Sequence, residues 1–255
     1  MAVLAGATVA VGLCIGSFAN VVIRRVPAHL SIVSPPSACP QCSARIRPRD
    51  NVPVVSWLVL RGRCRDCRGP ISARYPLVEA LTGFLFLLLA LRFGWSWTLP
   101  AELAFTAGLV ALSFCDLDKL ILPKRIVYPT GIAVGVLLVV AGAAEGAWHR
   151  LVVAAICGAA AFVAFFAINL VNPRWMGFGD VRLAPVIGLA LGWVAPAYAV
   201  IGFVLANALG AVIGIGLIAS GRTSRRTALP FGVFLSAGAF LALLVSPVVL
   251  SHYSG

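Results

Sequence analysis

Apolar stretches of about 18 residues or more recur along this chain, each long enough to cross a hydrocarbon core about 30 Å thick. Charge is correspondingly scarce. Only 11% of the residues are charged, where a soluble domain carries about 25%. The mean hydropathy is +1.01. The chain therefore reads as an all-α polytopic membrane protein with about eight transmembrane helices. They fall near residues 2–23, 76–93, 98–115, 126–143, 150–171, 180–195, 197–219 and 229–250. Hardly any loop separates the sixth from the seventh, and Pro196 favours a tight turn there. The first 23 residues lack a basic leading segment, and their charges follow as Arg24 and Arg25. That order suits a first spanning helix better than a cleaved signal peptide.

The net charge of +12 does not mark a nucleic-acid binder, because the basic residues alternate between loops. Ten arginines lie in the 24–74 loop. Lys119, Lys124 and Arg125 follow the third span, Arg174 and Arg182 flank the next such loop, and Arg222, Arg225 and Arg226 precede the last span. The opposite side has only Arg92 and Arg150. Positive loops face the cytoplasm, so an even number of spans puts both termini outside. The Gly and Ala residues within the spans permit close helix packing.

The one long polar loop holds Cys39 and Cys42 (CPQC) and, after 21 intervening residues, Cys64 and Cys67 (CRDC) from Cys42 onward. Two Cys-x2-Cys pairs at this spacing can close a tetrahedral zinc site, each pair supplying two sulfurs. Disulfides are the weaker alternative on a reducing face, and free cysteines are a third. Four sulfur ligands leave no position for water, which makes such a zinc structural. Gly69 follows the second pair, where a tight turn favours glycine. The run VPVVSWLVL suits a short strand or helix under the metal. A segment of about 50 residues is too small to be held by apolar burial alone, and a metal staple fits that need. Cys14, Cys115 and Cys157 fall in or at the ends of spans, as small apolar residues.

Of eight acidic residues, Asp50 and Asp66 lie in the polar loop and Glu145 on the outer face. Glu79, Glu102, Asp116, Asp118 and Asp180 lie in or at the edges of spans, where a charge is costly. Glu102 is placed to reach the outer interface. Glu79 has two readings, an ion pair with Arg74 or a role toward substrate. Asp116 closes the third span, with Pro123 soon after to break the helix. Asp180 follows Gly177 and Gly179, residues that permit unusual backbone and close approach. A helix N-cap after a glycine turn is the plain alternative for Asp180. Together on one membrane face, Asp116 and Asp180 suit a pair sharing one proton, in which one carboxylate activates water and the other protonates the substrate amide. His29, His149 and His252 offer no convincing alternative base.

These segments resemble the type IV prepilin leader peptidases, integral-membrane aspartyl proteases of the GxGD class. The resemblance spans nearly the whole chain. It rests on GSFANVVIRRVP, on CPQC through NVPVVSWLVLRGRCRDCRGPISARYPLVE, on DLDKLILP, on GFGDVRL and on LPFGVFL. It implies catalytic roles for Asp116 and Asp180 and zinc on Cys39, Cys42, Cys64 and Cys67. It implies removal of a basic leader after a glycine, on the cytoplasmic side of the bacterial inner membrane. N-methylation of the new N-terminus with S-adenosyl-L-methionine would follow. The implied partners are the lipid bilayer and type IV prepilins or the pseudopilins of type II secretion, with no nucleic acid. The implied division is a first helix at 1–23, a zinc-binding, methyltransferase-associated segment at 24–75 and a peptidase domain at 76–255. Lys124 stands where many members have Asp, Arg182 where Lys is frequent and Val233 where Pro is frequent. Two rival readings are a transporter that uses the acids as a proton or cation path, and a zinc module that only binds partners.

Overall fold

The computed structural model describes residues 1–173, 176–221 and 229–251, with side chains in the last helix described as far as Leu244. Arg174, Arg222, Arg225, Arg226 and His252 lie outside the described residues. Eight long helices occur where the apolar segments fall. They are α1 (Ala2–Arg25), α3 (Arg74–Phe93), α4 (Leu99–Lys119), α5 (Lys124–Glu145), α6 (Trp148–Val171), α7 (Phe178–Val194), α8 (Pro196–Ala219) and α9 (Phe231–Ser251), with a one-turn helix, α2 (Val55–Val59), in the polar loop. Six of the long helices are long and apolar enough to cross a membrane. The other two are α7, at 17 residues, and α9, whose described apolar part is Phe231–Leu244.

The chain forms two compact units, Met1–Trp95 and Ser96–Gly255. In the first, α1 lies along α3. A Cβ on Gly12 would come within 2.8 Å of the Gly83 Cα, so the two backbones touch where side chains would hold them apart. Asn20 Nδ2 donates to the Tyr75 carbonyl at 3.1 Å near the polar end of the pair. Between the two helices, residues 29–73 bury almost nothing. Only Ser56 and Cys64 in that stretch are buried. Such a segment needs cross-links other than a core. Arg65 clamps Asp50 through two nitrogens, and Arg47 meets Asp66 at 2.8 Å. The run expected as strand or helix becomes α2, whose Trp57 Nε1 donates to the Ile71 carbonyl at 3.0 Å.

In the second unit, α4 is the most enclosed of the six apolar spans. One end is fixed by Trp193, whose Nε1 donates to Thr98 Oγ1 at 2.9 Å while the Arg150 guanidinium stacks 4.9 Å over its ring. Glu102 departs from expectation. It does not reach an interface but is fully buried, because it shares a helix face with Phe105, Thr106 and Leu109, all enclosed. Both its carboxyl oxygens lack a partner among the described residues. Between α7 and α8 a single extended residue, Ala195, makes the connection, and Pro196 opens α8, as the sequence suggested.

Candidate active site and metal centre

Asp116 is reached through a helix that runs one turn further than its apolar part. α4 continues past the expected end at 115 to Lys119, and Leu120 ends it in the left-handed conformation, with its N–H on the Asp116 carbonyl at 2.9 Å. Pro123 then serves as N-cap of α5, which explains its place, with six residues between it and Asp116, as a restart rather than a break alone. The turn between them folds Leu122 back inside, where it is buried.

Asp180 sits in the first turn of α7, with its N–H on the Gly177 carbonyl at 3.0 Å. Neither Gly177 nor Gly179 takes a positive φ, so conformational freedom is not what GFGD needs from them. Close approach is. A Cβ on Gly179 would come within 2.9 Å of the Leu122 Cβ, so only glycine lets the start of α7 lie against the α4–α5 turn.

This approach brings Asp116 and Asp180 to one cavity of about 260 Å³, lined also by Leu120, Gly177, Phe178 and Arg182. Both carboxylates are buried, at 5% and 8% exposure. Asp116 Oδ2 has no hydrogen-bond partner among the described residues. Arg182 stacks its guanidinium 4.5 Å over the Phe178 ring. Asp118, the neighbouring acid, is exposed and does not line this cavity, and Lys124 is exposed as well.

The first turn of α9 completes the site, and sequence reasoning gave it no role there. The N–H groups of Gly232 and Val233 face the Asp116 carboxylate. A Cβ on Gly232 would come within 2.8 Å of Leu122 and 2.9 Å of Asp116 Oδ2. The signal was the LPFG motif itself, a proline and glycine opening an apolar helix. Three helix ends that are far apart in sequence thus meet at one end of this unit, opposite the end marked by Thr98 and Trp193.

The four cysteines of the polar loop come together in the first unit. All four sulfurs lie within 4.8 Å of one another. Cys39 and Cys67, from different pairs, are 3.8 Å apart at sulfur. A tetrahedron with Zn–S bonds of about 2.3 Å has edges of about 3.8 Å, so the donor set and spacing fit zinc. Each pair forms the same tight loop. Ser43 N–H bonds the Cys39 carbonyl at 2.9 Å and Arg68 N–H bonds the Cys64 carbonyl at 3.0 Å. Ser43 and Arg68 carry the positive φ values of these loops, 59° each. Gly69 is therefore not the strained position. A Cβ there would meet only the flexible end of the Gln41 side chain from the other pair, which can move aside. Backbone N–H groups of Cys42 and Gln41 draw the Cys39 thiol down to about 6, while desolvation and the neighbouring thiols push Cys42 up to about 12.

Glu79 has a partner that neither reading named. Its Oε2 accepts the Val54 N–H at 2.7 Å, tying the polar segment to the second turn of α3. Val54 is a β-branched residue at φ 60°, a costly conformation that this bond helps to hold.

Known proteins carry the same organisation. Residues 10–93 match the bacterial peptidase A24 N-terminal domain, and residues 103–248 match the type IV leader peptidase family. A protein of Myxococcus xanthus (strain DK1622), named prepilin leader peptidase/N-methyltransferase, is 42% identical over 223 residues, covering 85% of this chain and 64% of that protein. Proteins of the same name from Aeromonas hydrophila and Bacillus subtilis (strain 168) are 36% and 34% identical, covering 94% and 95% of this chain and 90% and 94% of their own lengths. No solved structure matches the chain. With one family model spanning more than half of its length and relatives alike along nearly all of it, the chain belongs to the type IV leader peptidase family.

Proposed function

We propose that this protein cleaves the leader peptide of type IV prepilins or pseudopilins with Asp116 and Asp180, and N-methylates the new terminus. The observation that carries the peptidase reading is the shared cavity, where two buried carboxylates meet in a chain of this family. Two carboxyl groups so placed cannot both ionise cheaply and share a proton. One carboxylate takes a proton from water as it attacks the scissile carbonyl, and the other delivers a proton to the departing amine. The Gly232 and Val233 N–H groups hold Asp116 in place for this, and the Gly179 contact with Leu122 fixes the distance between the two helix ends.

Cys39, Cys42, Cys64 and Cys67 are the residues that would hold zinc, in the segment 24–75. A closed four-sulfur site supplies structure rather than hydrolysis. S-adenosyl-L-methionine would supply the methyl group. The arginine-rich loops and the cavity between 116–122 and 177–182 are assigned to the cytoplasmic face of the inner membrane by the charge of those loops, with eight crossings.

The test is purified protein incubated with a synthetic prepilin and S-adenosyl-L-methionine, read by mass spectrometry. Loss of the leader mass and gain of one methyl mass on the mature fragment are the expected pair. Leader loss without methyl gain would remove the second activity, and an intact precursor would remove both.

A further inference from the structure

The polar segment carries an outward apolar face that neither the carboxylate pair nor the cysteines explain. On α2, Val55, Leu58 and Val59 are 53%, 60% and 71% exposed. Their spacing puts them on one side of the helical turn. The opposite side is occupied, since Ser56 is buried and Trp57 bonds the Ile71 carbonyl.

The depth of this face follows from Glu79. The Val54 N–H immediately before α2 bonds Glu79, which lies five residues inside α3. At about 1.5 Å per residue that is roughly 7 Å along the helix. α3, which begins at Arg74, is apolar and long enough to cross a membrane. The start of α2 is thus held beside the second turn of a helix able to span, near its polar end.

Charge points the same way. Arg49, Arg61 and Arg63 are exposed on either side of α2 in the sequence, and the Arg49 carbonyl accepts a bond from Ser56 on α2 itself. Residues 24–74 hold ten arginines against two aspartates. An apolar face near the polar end of such a helix, with basic flanks, is the pattern of an interfacial anchor, in which apolar side chains enter the acyl boundary while arginines meet anionic headgroups.

We propose that the α2 face of Val55, Leu58 and Val59, flanked by Arg49, Arg61 and Arg63, inserts into the anionic leaflet of the same membrane that α1 and α3 span. The inference does not depend on the peptidase assignment. It requires only that α1 and α3 lie in a bilayer. The face docks the cysteine segment onto the lipid surface and restricts its motion about the α1–α3 pair.

The test uses the full chain in lipid nanodiscs made with and without phosphatidylglycerol. A photo-crosslinking amino acid is introduced at position 59 in one protein and at position 45, on an exposed arm of the first cysteine loop, in another. Lipid adducts several-fold more abundant at 59 than at 45, and rising with phosphatidylglycerol, are expected. Equal labelling at both positions, or crosslinks at 59 to a second copy of the chain instead of lipid, would overturn the proposal. A second measurement guards against disturbed folding. Hydrogen exchange of residues 52–60 is compared in the parent and in the Leu58→Glu, Val59→Glu double variant, each checked for an unchanged elution profile. Protection that phosphatidylglycerol strengthens in the parent and not in the variant is expected. Identical exchange in both proteins in both lipids would contradict insertion.

Discussion

Gly232 lies so close to Asp116 that a methyl group on its Cα would sit 2.9 Å from the Asp116 Oδ2 and 2.8 Å from Leu122. The last helix is therefore seated on the carboxylate, and its side-chain-free position is part of the site. Gly232→Ala should push the carboxylate or the helix aside. Overpacking of this kind costs about 1–3 kcal/mol, and a displacement near 1 Å at a reacting group costs about 100-fold in rate. Cleavage rate and thermal unfolding, measured side by side, check both. Gly6→Ala is the matched control, since a Cβ there meets nothing within 4 Å and should leave both unchanged.

Much of this arrangement is legible in the chain, for identifiable reasons. Apolar length placed the eight long helices, because lipid allows little else to cross it. Cysteine spacing placed the four-cysteine cluster, because two-residue gaps are what a chelating loop requires. What stayed hidden depends on contacts between distant segments. The seating of Gly232 on Asp116 joins residues more than a hundred positions apart, and no local pattern encodes it. The burial of Glu102 reflects which face of α4 the neighbouring helices cover.

Glu79 should act as a positioning residue for the polar segment. Glu79→Ala removes the acceptor of the Val54 N–H, and an unpaired buried donor costs about 1–3 kcal/mol. Glu79→Gln keeps an acceptor oxygen and should lose less. Limited proteolysis within residues 29–73 measures the effect. Faster cutting in the alanine variant than in the glutamine variant is expected, and equal rates in all three proteins would show that the bond holds nothing.

The cysteine cluster should bind one zinc ion per chain. Elemental analysis of protein never exposed to chelator should find a stoichiometry near one. A value near zero would contradict the assignment of Cys39, Cys42, Cys64 and Cys67.

Metal loss should separate the two proposed activities. Cys64→Ser with Cys67→Ser should impair methyl transfer more than leader removal, because a closed four-sulfur site offers shape and no hydrolytic chemistry. The carboxylates proposed to cut the leader lie in the other compact unit. Insertion is checked by protease protection, since loss of a structural metal can unfold its domain. Equal loss of both activities in a well-inserted protein would mean that the segment also places substrate for the peptidase.

The carboxylate pair is tested most directly by leader cleavage of a synthetic prepilin, followed by mass spectrometry, in Asp116→Asn, Asp180→Asn and Asp118→Asn proteins of equal membrane insertion. General acid–base groups contribute at least about 100-fold. The buried Asp116 and Asp180 share the cavity, while Asp118 is exposed outside it. The first two variants should therefore fall at least about 100-fold below the parent, and Asp118→Asn should stay near it. Abolished cleavage in Asp118→Asn with cleavage retained in Asp116→Asn would contradict the account.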